Sequence, residues 1–338
     1  MAKILLTGGL GFIGSHTAVE LIAKGHDVVV VDNLSNTRIE VLEGIEVISG
    51  VRPVFEQLDM SKQEDVKLLC SKYKFDGCIH FAAFKAVGES VAKPLEYYNN
   101  NIASLVYLLQ EFRDNGLNNI IFSSSCTVYG QADAMPITED APVKPAESPY
   151  GNTKQVGEEI IREALAAHPE LKAIALRYFN PIGAHESAII GELPLGVPMN
   201  FVPFVTQTAA GIRKELKVFG NDYPTADGTA VRDYIHVVDL AKAHVTALNR
   251  LIENTNKSNY EVFNIGTGTG SSVLEAINAF EKVSGEKLNW AFAPRRAGDV
   301  TEAYADTTKA NNELGWKAEK NIEDCMRDAW RWQQKLAE

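Results

Sequence analysis

Tyr150 and Lys154 stand four residues apart in Tyr150-Gly151-Asn152-Thr153-Lys154, which puts a phenol and an ammonium on one face of a helix start. A free phenol titrates near ~10, too high for a base at neutral pH. A neighbouring ammonium and a second positive charge are expected to stabilise the phenolate and pull that value down. Tyr150 then takes a proton from a hydroxyl while a hydride leaves the same carbon. Ser125, at the end of the hydroxyl-rich run Ser123-Ser124-Ser125, is expected to hydrogen-bond the reacting oxygen or relay the proton. Tyr-x-x-x-Lys pairs are common on ordinary helix faces, so this one needs a hydride acceptor held beside it.

A place for that acceptor lies near the N-terminus. The apolar run Lys3–Thr7 reads as a strand, Gly8, Gly11 and Gly14 follow, and Phe12, Ile13, Ala18, Val19, Leu21 and Ile22 recur with helical spacing. Strand, tight glycine turn and helix start make a phosphate cradle, where the missing Cβ admits a pyrophosphate to free N–H groups. A second strand, Asp27–Val31, ends at Asp32, about 20 residues beyond the glycines, where a carboxylate suits both hydroxyls of an adenosine ribose. Asp32 would also repel a 2′-phosphate, which favours NAD over NADP. Arg38, the nearby cation that argues otherwise, reads as a solvated loop residue.

Further elements must carry these groups. Strands are expected at 53–59, 77–83, 120–125 and 173–178, with helices starting at Ser61 and spanning 94–115 and 150–167. Strand and helix alternate, so the fold class is α/β, a doubly wound parallel sheet with its ligands at the strand C-termini. After Asn180 the text changes: Pro181, Pro194, Pro198, Pro203 and Pro224 break up short elements at 198–212 and 215–219. A smaller C-terminal mixed α/β substrate lobe is expected there. The division is 1–180 for the dinucleotide, with returns near 231–266, and 181–338 for the substrate. The chain closes on an amphipathic helix holding Trp330 and Trp332.

Composition narrows the function classes. With 338 residues, 45% hydrophobic and 23% charged, the chain reads as an ordinary globular enzyme. A net charge of −11 with no basic stripe argues against nucleic acid. No apolar run reaches the ~18–20 residues of a bilayer span, and the opening strand does not resemble a signal peptide. Cys70, Cys78, Cys126 and Cys325 are scattered without a Cys-x-x-Cys pair, which fits reduced thiols and a cytoplasmic location. The seven histidines lack metal-ligand spacing, so no metal is assigned.

Thr7-Gly8-Gly9-x-Gly11-x-x-Gly14 together with Tyr150-x-x-x-Lys154 resembles the extended short-chain dehydrogenase/reductase family. Longer strings resemble its branch of UDP-hexose 4-epimerases over essentially the whole chain. They include His80–Ser90, Lys93–Tyr98, Ser123–Gly130, Arg177–Pro181, Phe219–Thr225, Arg232–Val237 and Ala293–Arg296. The resemblance implies a Rossmann sheet and a bound NAD touching Gly8, Gly11, Phe12, Ile13, Gly14, Asp32, Asn33, Asn36, Asp59, Met60, Phe81, Ala82, Lys85, Asn100, Ser123, Tyr150, Lys154 and Tyr178. Asp59 and Met60 would flank the adenine, Lys85 would lie near the phosphates and Tyr178 near the nicotinamide. A UDP-sugar would meet Lys85, Ser125, Tyr150, Asn180, Asn200, Phe219, Arg232, Arg296, Asp299 and Ala303.

The activity implied is reversible inversion at C4 through a transient 4-keto sugar, with catalysis by Tyr150, Lys154 and Ser125. Small Ala303, where relatives with a bulky tyrosine hinder N-acetylated hexoses, implies that UDP-GlcNAc and UDP-GalNAc are also accepted. A homodimer paired through the helices near 96–114 and 150–167 is implied as well. Two alternatives remain. Nucleotide-sugar 4,6-dehydratases resemble this family but carry an Asp-Glu pair where this chain has Cys126 and Thr127. A non-catalytic NAD-binding regulator would not be expected to keep Ser125, Tyr150 and Lys154 together.

Overall fold

The computed structural model describes residues 1–296 and 299–338. Six strands enter the central sheet before the chain reaches Phe179: β1 (Lys3–Thr7), β2 (Asp27–Val31), β3 (Val54–Glu56), β4 (Gly77–His80), β5 (Asn119–Ser123) and β6 (Lys172–Tyr178). The strand Tyr260–Ile265 adds a seventh beside β6, and every pairing is parallel. The order runs Tyr260–Ile265, β6, β5, β4, β1, β2, β3, so it reverses between β1 and β4. Such a reversal opens a crevice at the strand C-termini, where doubly wound sheets bind ligands.

Both faces of the sheet are buried, which explains the nearly continuous apolar strands. One face packs Leu5, Val29, Cys78, Ile120 and Phe122 against Leu105, Leu108, Phe112, Ile161 and Leu165. Those last five come from the helices Pro94–Asn115 and Pro149–Ala167, as the sequence led us to expect. The opposite face packs Ile4, Leu6, Val28 and Val30 with the helices Phe12–Ala23 and Val237–Ile252.

Three expected strands are shorter than their apolar runs. β4 stops at His80, not Ala83, and the expected third strand at 53–59 keeps only Val54–Glu56. β5 stops at Ser123, because Ser125 leaves the ladder to cap a 3₁₀ turn at Cys126–Tyr129. Helices at Val41–Ser49 and Val273–Ser284 were not anticipated from periodicity.

Beyond Tyr178 the chain builds small sheets. Asn180–Ile182 pairs with Tyr234–His236, and Leu216–Phe219 pairs with Trp290–Ala293. Val231–Arg232 sits between Ser271–Ser272 and Glu302–Ala303. A separate core of Val202, Val205, Val218, Tyr234, Phe280 and Met326 lies under these pieces. No described helix is long and apolar enough to cross a membrane.

Candidate active site

The glycine turn is shaped by sterics. Gly8 has φ of +65°, and a Cβ there would come within 2.8 Å of the Ala82 amide nitrogen. A Cβ on Gly14 would fall on the Gly8 carbonyl oxygen. Helix Phe12–Ala23 therefore starts hard against the turn. No side chain caps its N-terminus at Gly11, and no acidic residue lies in its first turn. That leaves the positive end of the helix open to an anion.

A cleft of about 710 Å³ opens above this turn. All eighteen residues expected at the dinucleotide line it: Gly8, Gly11, Phe12, Ile13, Gly14, Asp32, Asn33, Asn36, Asp59, Met60, Phe81, Ala82, Lys85, Asn100, Ser123, Tyr150, Lys154 and Tyr178. Its size and the glycine cradle fit a dinucleotide. Arg38, exposed as a loop residue, also lines the cleft.

Asp32 is more committed than its spacing suggested. One carboxylate oxygen accepts the Leu10 amide at 3.2 Å, and the other accepts the Leu34 amide at 2.9 Å and the Thr37 hydroxyl at 2.8 Å. The carboxylate thereby pins the glycine turn to the loop after β2.

The catalytic helix begins by design of its first residues. Ser148 accepts the Gly151 amide at 3.1 Å as N-cap, and Pro149 occupies the first turn. Tyr150 and Lys154 consequently face inward, both buried. Lys154 Nζ donates to the Ser123 carbonyl oxygen at 2.7 Å and stands 5.8 Å from the centre of the Tyr150 ring. Tyr178 and Ser123 share a hydroxyl hydrogen bond of 2.8 Å, which draws the ends of β5 and β6 together.

Burial dominates the electrostatics of this pair. In the protein alone burial pushes the Tyr150 phenol well above its usual range, aided by neighbouring Tyr178 and offset by the Ser125 hydroxyl. Burial also pushes Lys154 down, to about 8, against the field of Glu158. Lys154 gives its hydrogen bond to Ser123, so it acts on the phenol through its charge.

The expected UDP-binding residues divide between two places. Asn200, Lys85 and Tyr150 line the cleft; Asn180, Phe219, Arg232, Arg296, Asp299, Ala303 and Ser125 lie outside its lining. Asn180 pairs with Tyr234, and Ala303 pairs with Arg232. The Arg296 guanidinium stacks 4.0 Å above the Phe219 ring. Arg232 forms an ion pair with Asp299 and donates to the Val300 carbonyl at 2.8 Å. Cys126 lies between the two groups, near Arg232 on one side and the Tyr150 and Tyr178 phenols on the other. Burial raises that thiol to about 11.

Two arrangements went unread in the sequence. Glu192 Oε1 accepts both Lys85 Nζ, at 3.0 Å, and Asn200 Nδ2, at 2.5 Å. Glu158, buried one turn beyond Lys154, holds Arg177 and Ser124. The four-residue step from Lys154 to Glu158 was the available signal for the second; loop residue Glu192 offered none. Among the described residues, no three His, Cys, Asp or Glu side chains gather as a metal site.

Comparison with known proteins completes the picture. Residues 5–329 match the family model described as GDP-mannose 4,6 dehydratase. A UDP-glucose 4-epimerase of Bacillus subtilis is 50% identical over 98% of this chain and 96% of its own length. The crystal structure of a UDP-glucose 4-epimerase from Stenotrophomonas maltophila, with NAD and formylated UDP-arabinopyranose, superposes with a TM-score of 0.96 at 46% identity, covering 100% of this chain and 99% of that one. The Bifidobacterium longum enzyme in complex with NAD+ and UDP gives 0.95 at 47% identity, covering 99% of both chains. With its glycine cradle, its Tyr150–Lys154 helix and relatives matched end to end, the chain belongs to the UDP-glucose 4-epimerase family, within the extended short-chain dehydrogenase/reductases.

Proposed function

We propose that the protein reversibly inverts C4 of UDP-hexoses, UDP-galactose to UDP-glucose above all, with a resident NAD. The observation that carries this reading is the convergence of Tyr150, Lys154, Ser123 and Tyr178 on the wall of the glycine-based cleft. When bound there, NAD supplies the oxidising power, accepting the C4 hydride and returning it to the other face of a 4-keto sugar. Tyr150 removes the 4-hydroxyl proton and restores it when hydride returns, so no net oxidation occurs. Burial favours the donor form of this phenol, and Lys154 is the chain's own source of the positive charge that draws the proton off. Ser125, beside the phenol, orients the reacting oxygen.

Rotation of the keto sugar requires a firm grip on the UDP and a loose one on the hexose. Arg232, Arg296, Phe219, Asn180, Asn200 and Asp299 are assigned the grip: guanidiniums for the pyrophosphate, an aromatic face and amides for the base, a carboxylate for ribose hydroxyls. Arg232 and Asp299 are paired with each other, which brings the two groups assigned to the pyrophosphate and the ribose side by side. A 4,6-dehydratase is disfavoured because Cys126 and Thr127 supply no acid–base pair for loss of water.

On the same reading residues 1–180 hold NAD, with returns near 231–266, and 181–338 hold the UDP-sugar. Ala303, paired with Arg232, is smaller than the tyrosine that hinders N-acetylated hexoses, which supports a range extending to UDP-GlcNAc and UDP-GalNAc. A homodimer is assigned to the helices Pro94–Asn115 and Pro149–Ala167, whose Ile102, Val106, Val156 and Ile160 are only half-buried. Four unpaired cysteines suit a cytoplasmic setting. The test is incubation with UDP-galactose, without added NAD, followed by NMR of the sugar. Conversion to a mixture with UDP-glucose is expected; a 4-keto-6-deoxy product, or no product, overturns the reading.

A further inference from the structure

Behind the catalytic face, away from the cleft, lies a buried ionic network that the reaction as described does not use. Arg177 of β6 grips Glu158 with two parallel bonds, Nε to Oε1 at 2.9 Å and a terminal guanidinium nitrogen to Oε2 at 2.6 Å. Ser124 donates to the same Oε1 at 2.5 Å, and Tyr260 donates to Oε2 at 3.3 Å. Arg177 also donates to Tyr129 at 3.0 Å, whose hydroxyl donates to Asn264 at 2.6 Å. Glu158 and Arg177 are about as buried as the core, at 4% and 6% exposure.

A buried ion pair is a poor device for stability alone, because desolvation offsets much of its attraction. Its placement suggests another use. Glu158 lies one helical turn beyond Lys154, so the two side chains are neighbours on one face. Ser124 follows Ser123, the residue whose carbonyl receives the Lys154 ammonium. The pair thus holds both the helix that carries the lysine and the strand end that receives it. Its carboxylate end is carried by the same helix as Lys154, four residues on.

We propose that the Glu158–Arg177 pair is a positioning device that keeps Lys154 protonated and seated on Ser123, and that Glu158 is therefore a positioning residue of the catalytic site. The proposal rests on the epimerase reading above. The surroundings of Lys154 leave few other candidates. From β4 it meets His80, which burial holds neutral with a value lowered to about 3. From β5 it meets the Phe122 ring at 5.2 Å and the Ser123 carbonyl, and from its own helix the Tyr150 ring. Glu158 is the charge that counters the effect of burial on this lysine.

The experiment compares the NAD-loaded wild type with Glu158→Gln, Glu158→Asp and the doubly neutral Glu158→Gln/Arg177→Met, reading kcat for UDP-galactose from about pH 6 to pH 10. With the carboxylate gone the ammonium is less favoured. The alkaline fall of kcat should then move to lower pH by about one unit or more in Glu158→Gln and in the double variant. Glu158→Asp should restore the wild-type limb, at least in part, while KM stays within a few fold throughout. The double variant leaves neither Glu158 nor Arg177 buried without its partner, which guards against simple failure to fold. An unmoved alkaline limb in a folded double variant overturns the proposal. Absence of turnover in the wild type would instead strike the epimerase reading itself.

Discussion

Lys85 and Glu192, 107 residues apart in the chain, are joined by a 3.0 Å ion pair on the wall of the cleft. The same Glu192 oxygen takes the amide of Asn200, so one carboxylate occupies two groups assigned to the nucleotides. Glu192 stands where an anionic ligand would otherwise compete for them. The lysine is half-exposed, at 54% of its side chain, which makes the pair weak. Glu192→Gln should accordingly tighten UDP binding to the NAD-loaded enzyme by at most about five-fold, measured by calorimetry. Weaker binding in that variant would mean that Glu192 scaffolds the site, not that it competes with the ligand.

Tyr150→Phe removes the proton donor and acceptor but keeps the ring packed. We expect kcat to fall by ~10²–10⁴-fold, with UDP affinity nearly unchanged. Steady-state kinetics and UDP titration check both halves of this prediction. Turnover close to wild type would exclude Tyr150 from the proton transfer.

Lys154 carries a cost that its removal should reveal. The unfolded chain keeps this lysine near 10.5, while burial lowers it to about 8 in the folded protein. Between those two values the unfolded state binds the extra proton, so the penalty is full below about pH 8 and is relieved as pH rises toward 10.5. Lys154→Met should therefore be inactive yet more stable at pH 7, by about 1–3 kcal/mol in urea unfolding of ligand-free protein. A variant less stable than wild type would show that the Ser123 contact outweighs desolvation.

Asp32 faces three donors, from Leu10, Leu34 and Thr37. In Asp32→Asn an amide N–H must meet at least one of them. The variant should lose roughly 1–3 kcal/mol of stability and retain less NAD on purification, read by thermal unfolding and by absorbance of the released cofactor. Full retention of both would mean that the turn is held without Asp32.

Much of this site is legible in the sequence because its chemistry is local. The glycine turn, Asp32 and the Tyr150–Lys154 step each lie within one element and its cap, and all reach the cleft. The helix Pro94–Asn115 and the strand Asp27–Val31 follow the same logic. What the sequence hides is pairing over distance. Glu192 meets Lys85, and Glu158 meets Arg177, through folding of the whole chain, and loop residues carry no period to announce such meetings. The burial of Tyr150 was hidden for a related reason. Spacing shows which charge is near, but not how strongly burial opposes it.

The central claim is that one hydride leaves C4 and returns to the same carbon while the sugar stays in the cleft. Turnover of UDP-galactose in D2O, without added NAD, tests this most directly through the C4 proton of the UDP-glucose formed. The account predicts full retention of protium at C4. Deuterium at C4 would mean that the hydrogen exchanges with solvent, and would contradict transfer to and from a resident cofactor.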